Sequence, residues 1–389
     1  MNLEVIRSGF DKLELSLNVV VPEELCEHLA SAKAEAEELA KRNQKAKCGT
    51  LYNGEDLIVR PNGAAGGYAY SVETSNLEAN WFLRKSTSAS GWGVRVAVRA
   101  MPLVLNGIAW VKDELEKTAD AFGLSIPPNG VSISRIDYAV DCLAPGFSFN
   151  PNQFVVHSAS NTTRHMQPEE MDVSGKCWKA SSMRVGGITN KQIGIYDKLQ
   201  EVKQKRKFDM FEIWDAARHA QGARPLVYRG EATDEIWRVE LRAGKDYLKG
   251  RWDVTGWGSL FDQITDILGG ILKTMRYTVP VRDTNRSRWD NHPLWNMVAE
   301  EVEQNALRHV PSVSRERLVE VRLADKLQWF ETNMLGNAIS HAALSGKHGD
   351  QVECHLEELA QKLKQQNRDH RVPADVRMEA VRRRYPGLV

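Results

Sequence analysis

The sequence predicts an α+β protein: an antiparallel sheet platform of two related α+β halves flanked by helices, followed by a C-terminal helical region. Three observations carry this expectation. Strand-like alternation of apolar and polar residues recurs in two separate stretches, each stretch mixes such strands with helical segments, and beyond about Pro311 only helical periodicity remains. The boundaries fall at 1–128 for the amino-terminal half, 129–310 for the second half and 311–389 for the helical region.

The first half opens with residues 10–20, where Leu13, Leu15, Leu17 and Val19 alternate as on a half-buried strand. Pro22 then starts a helix, because a first-turn residue needs no N–H, and the helix runs to about Asn43. Three or four strands follow within 50–59, 67–72, 81–85 and 94–98, punctuated by the turn pairs Asn53-Gly54 and Asn62-Gly63. A second helix spans about 102–122 and stops at Gly123. In the second half, strands are expected at 131–142, 191–198 and 236–242. A helix follows at 259–275, where Leu260, Ile264, Ile267, Leu268, Ile271 and Met275 form one stripe. In the last region Val319, Leu323, Leu327 and Phe330 make one helix face, and Leu356, Leu359 and Leu363 another.

With 389 residues, the chain can build two or three domains with proper cores. No apolar run approaches the ~20 residues that span a bilayer, and no secretory signal is expected. Five cysteines without a C-x-x-C pair argue against a disulfide framework or a zinc module, which fits a reducing cytoplasm. The net charge of +1 makes no general case for nucleic acid, but its distribution does. Residues 176–250 hold 16 Lys and Arg against 10 Asp and Glu, a surplus of six, so the remainder carries −5. Such local basicity predicts a focused anionic partner, with Lys203, Lys205, Arg206 and Lys207 as its densest run; a solvated basic helix is the alternative.

Strand parity sorts the second half's side chains into two faces. One face gathers Arg135, Asp137 and Asp141 from the first strand, Tyr196 and Lys198 from the second, and Arg238, Glu240 and Arg242 from the third. The opposite face is apolar. Carboxylate oxygens suit Mg²⁺ or Mn²⁺, the cations suit phosphate, and a tyrosine among them suits attack on a phosphodiester. Charge on the open face of an antiparallel sheet is also ordinary, and Arg–Glu pairs across strands are common there.

The segments SISRIDYAVDC (132–142), IGIYDKLQE (193–201), WRVELRAG (237–244) and NRSRWDNHPLW (285–295) resemble, in order and spacing, the replication initiation factor family, often called Rep_trans. That family holds rolling-circle plasmid and phage initiators and related relaxases. The resemblance covers roughly 10–298 and is strongest from 132 to 295. It departs at Asp290, where the family has proline, and in the tail beyond Pro311. It implies a nucleophilic tyrosine at Tyr196, metal ligands among Asp137, Asp141 and Glu240, and a 5′-phosphotyrosine with a free 3′-OH. On this reading Lys198, catalytic beside Tyr196, and Arg238 contact the phosphate, Arg135 and Arg242 support the acids or the DNA backbone, and the basic run at 203–207 contacts DNA. Implied partners are origin DNA, duplex and locally single-stranded, a host helicase and polymerase, and a possible second copy of the chain. A non-catalytic origin-binding protein and a conjugative relaxase remain alternatives. No His-x-His metal motif, P-loop or Gly-x-Gly-x-x-Gly run is present.

Overall fold

The computed structural model describes residues 3–41, 47–85, 91–157, 171–176, 179–223, 226, 235–309 and 313–382. The chain divides into two compact units, Met1–Val313 and Ser314–Val389. The first half comprises β1 (Glu4–Leu17), α1 (Glu23–Lys41), β2 (Cys48–Tyr52), β3 (Glu55–Val59), β4 (Tyr70–Thr74), β5 (Ala79–Leu83), β6 (Val94–Val98) and α2 (Ala100–Ala121). The second comprises β7 (Val131–Leu143), β8 (Phe154–Val156), β9 (Met171–Lys176), β10 (Lys179–Gly186), β11 (Lys191–Asp197), α3 (Lys198–Lys205), α4 (Asp209–Ala220), β12 (Ile236–Gly244), α5 (Lys245–Gly250), α6 (Trp257–Thr274), β13 (Met275–Tyr277) and α7 (Pro293–Asn305).

Eleven strands form one sheet in the order β2-β3-β4-β5-β6-β1-β7-β12-β11-β10-β9, and β8 pairs with β13 apart from it. Every neighbouring pair in the large sheet is antiparallel. The two halves are built alike. Each has a long first strand, a meander whose last strand returns to pair with the first, and then a helix: β6 returns to β1 before α2, and β12 returns to β7 before α6. The long strands β1 and β7 pair with each other, so the two halves share one platform and one core rather than folding apart.

One face of the platform is apolar and closed. Leu13, Leu15, Leu17, Trp81, Val96, Ile136, Tyr138, Val140, Ile193, Val239 and Leu241 are fully buried there, in one cluster with α1, α2, α6 and α7. Each large side chain so buried contributes about 1.5–3 kcal/mol. Tyr138 meets Phe10 edge-to-face at 5.3 Å, placing it with the core residues as its parity requires. The helix expected at 102–122 forms, but Gly107 interrupts it with a left-handed backbone (φ 80°) that glycine adopts without strain. Residues 50–59 form a hairpin that turns at Asn53-Gly54, one of the two turn pairs read from sequence.

The second unit contains α8 (Arg315–Leu344), α9 (Val352–Arg368) and α10 (Ala374–Arg382). Ala342 is buried in it, and His355 is buried with Nε2 2.9 Å from His341 Nδ1. Among the described residues no helix is long and apolar enough to cross a membrane.

Candidate active site

The other face of the platform carries the charged residues, and cross-strand register arranges them in rungs. Asp141 of β7 stands opposite Arg238 of β12, which stands opposite Tyr196 of β11. The next rung reads Ala139, Glu240 and Gly194; the third reads Asp137, Arg242 and Gln192. Glu240 is therefore flanked on both sides by residues too small to cover it. A Cβ added at Gly194 would sit 3.8 Å from the Glu240 Cβ, so the space beside the carboxylate is set by the missing side chain.

Tyr196 is half-buried, and its Oη donates to Glu240 Oε2 at 3.5 Å. The Lys198 ammonium lies 5.7 Å from the centre of the Tyr196 ring. Lys198 is the first residue of α3, not the end of the strand: Asp197 ends β11 and caps the helix, its Oδ1 accepting from the Gln200 amide at 2.8 Å. Lys198 is buried, bonded to Glu201, and reaches the tyrosine by that helical turn rather than by strand parity. Burial lowers its ammonium pKa, and Arg238 adds to the effect. Burial likewise raises the Tyr196 phenol well above its usual range, although the neighbouring Arg238 works against that.

Each predicted metal ligand is occupied by arginine. Asp141 has no exposed surface; Arg238 grips both its oxygens at 2.5 and 2.8 Å, and Trp214 of α4 donates to it at 2.9 Å. Arg135 takes both oxygens of Asp137 at 2.8 and 2.6 Å. Arg242 takes Oε1 of Glu240 through two nitrogens at 2.9 and 2.8 Å, lies 3.6 Å from Asp137, and donates to Gln192 at 2.8 Å. Among the described residues no three His, Cys, Asp or Glu side chains are grouped to hold a metal ion. As arranged, Asp137, Asp141 and Glu240 do not fit a shared Mg²⁺ or Mn²⁺: two have both oxygens bonded to cations, and Glu240 keeps only Oε2 for Tyr196.

The phosphate-binding assignments divide in the same way. Arg238 is buried and committed to Asp141 and Asp11, the latter at 3.0 Å, so its guanidinium is turned away from solvent. Arg135 and Arg242 keep 15% of their side chains exposed at the edge of the site. Lys203, Lys205, Arg206 and Lys207 are exposed at the far end of α3, where Lys205 and Lys207 bond Glu201 at 2.9 and 3.1 Å. Asp11 and Trp214 enter the site without a motif to announce them, since β1 bulges near Asp11 and α4 packs in from above.

No family model matches the chain, and no curated protein matches it. Among solved structures, that of a rolling circle replication initiator protein from Geobacillus stearothermophilus aligns at 13% identity with a TM-score of 0.38, covering 79% of this chain and 99% of that one. A likeness of that size carries no argument about the site.

Proposed function

We propose that the chain is a strand-nicking replication initiator of the rolling-circle type, with Tyr196 as nucleophile. The observation that carries this reading is the contact of half-buried Tyr196 with buried Glu240 on the charged sheet face, with a buried ammonium beside the ring. A phenol whose pKa is raised cannot ionise by itself at neutral pH, so it attacks only if its proton has an acceptor. Glu240 Oε2 is that acceptor. As Oη bonds to phosphorus, its proton passes to Glu240 and the P–O3′ bond breaks. The 3′-oxygen takes a proton from solvent, leaving a 5′-phosphotyrosine and a 3′-OH for a polymerase. Arg135, Arg242 and the Lys198 field offset the charge that builds on the phosphoryl oxygens. Rejoining is the reverse attack and needs no ATP, because the phosphotyrosyl ester keeps the bond energy. No step runs through a metal ion.

A second reading is an origin-binding protein without cleavage, favoured by the arginine pairing of both oxygens of Asp137 and of Asp141. End-labelled single-stranded origin DNA separates the two. The nicking reading requires a covalent protein–DNA adduct that is lost in Tyr196→Phe, falls at least tenfold in Glu240→Gln, and persists in Tyr138→Phe. An adduct of normal yield with Tyr196→Phe removes this tyrosine from the chemistry; no adduct from the unaltered protein leaves origin binding alone.

A further inference from the structure

We propose that the open sheet face of the amino-terminal half is a binding tract for single-stranded nucleic acid, continuous with the Tyr196 face. That the bound strand is the one delivered to Tyr196 rests on the nicking reading; the tract itself rests on its own residues. Two carboxylates lie low in the pleat, Glu14 and Glu73, with only 12% and 11% of their side chains exposed. Each is surrounded by three cations. Lys12, Arg95 and Arg135 lie 2.6, 2.5 and 3.9 Å from Glu14. Lys47 and Arg99 lie 3.2 and 3.4 Å from Glu73, and Arg60 bonds it directly. Five of these six cations keep 35–47% of their side chains exposed, standing above the acids they contact. Arg135 also holds Asp137, so the Glu14 cluster sets three cations against two acids and the Glu73 cluster three against one, and each leaves a positive surplus facing solvent.

The same face carries aromatic rings. Phe82 of β5 stands opposite Arg95 of β6, whose guanidinium lies 5.5 Å from its centroid. Tyr68 lies 6.2 Å from Phe82 and beneath Arg84 at 5.3 Å. Cations over half-exposed rings are the chemistry that stacks unpaired bases and holds their phosphates, whereas a duplex keeps its base faces to itself. From β5 to β11 there are five strand steps, ~24 Å at the usual spacing. The tract and Tyr196 are thus within one short stretch of polynucleotide.

The test uses the full chain carrying Tyr196→Phe, so that no cleavage intervenes, and a fluorescein-labelled single-stranded oligonucleotide read by anisotropy across a salt series. Adding Arg60→Gln, Arg95→Gln and Arg99→Gln together should weaken binding tenfold or more and reduce the salt slope by about two, at ~0.7 per lost phosphate contact. Phe82→Leu should weaken single-strand binding about tenfold and leave the slope unchanged. Arg99→Gln alone, a change at an exposed helix cap, gives the direction if the triple variant unfolds. Unchanged affinity and slope in a folded triple variant overturn the tract, as does a loss of duplex binding equal to the loss for single strands. If these substitutions act as expected while the unaltered protein forms no adduct, the tract stands and the nicking reading falls.

Discussion

Asp141 makes three short hydrogen bonds and meets no solvent, which makes its charge a structural component. Burial opposes that charge, but Arg238, with help from Arg7 and Lys198, outweighs it and holds the pKa at about 2. A folded pKa below the unfolded value of ~3.9 means stability that is fully present above pH 4 and lost as pH falls through 2, about 2 kcal/mol in all. Asp137 has the opposite sign: burial raises it to about 6 despite Arg135, so protonation on going from pH 7 toward 4 favours the fold. The melting temperature should therefore rise slightly between pH 7 and 5 and drop below pH 4. Asp141→Asn should cost about 3–5 kcal/mol at pH 7, because Arg238 stays buried without its carboxylate, and should flatten the acid limb. Circular dichroism melts across the pH range check both; a variant as stable as the parent would show that Arg238 finds other partners. Parity placed Asp137, Asp141, Glu240 and Tyr196 on one face from sequence. Two of the arginine pairs, Arg135–Asp137 and Arg242–Glu240, join alternate residues of one strand and were within reach of the same parity, whereas Arg238–Asp141 depends on register between strands about a hundred residues apart.

At the scale of elements, two local departures have identifiable causes. The Tyr-Asp-Lys segment reads as strand by alternation, yet Asp197 caps α3 and turns Lys198 back over the Tyr196 ring. The Asp197 and Gln200 spacing is a helix-start signal that the alternation masked. The kink in α2 had no such signal, since an isolated glycine in a helical pattern is tolerated. Its cause lies 200 residues away: His309 Nε2 donates to the Leu105 carbonyl at 2.8 Å, and its ring occupies the place of a Gly107 side chain, 2.9 Å from an added Cβ. Gly107→Ala should thus lose about 1–3 kcal/mol in urea unfolding, through backbone strain and displacement of His309. A Gly107→Ala protein with an unchanged midpoint would mean that α2 straightens without cost.

At the scale of the molecule, the division at Ser314 predicts that a fragment of residues 1–313 folds by itself, since its sheet and core are complete without the second unit. Its melting temperature should lie within a few degrees of the corresponding transition in the full chain, and its adduct yield should match. A fragment that melts early or aggregates would tie the two units energetically. In the second half the three strands that carry the site and the helix α6 were legible because their periodicity is clean, whereas β8, β9, β10, β13, α3, α4, α5 and α7 were not read. The tract on the first half was not, because its cations are scattered from Lys12 to Arg135 and no local window contains the excess. The sheet adds a geometric constraint of its own. Neighbouring strands rotate by roughly 20–25°, so the five steps from Phe82 to Tyr196 turn the surface normal by roughly 100–125°. A ligand touching both must follow a helical path over a saddle, at a curvature far tighter than a duplex with a persistence length of ~150 base pairs accepts smoothly. The platform's twist would therefore act as a mechanical filter, admitting supple polynucleotide to the tyrosine and holding stiff duplex away from it.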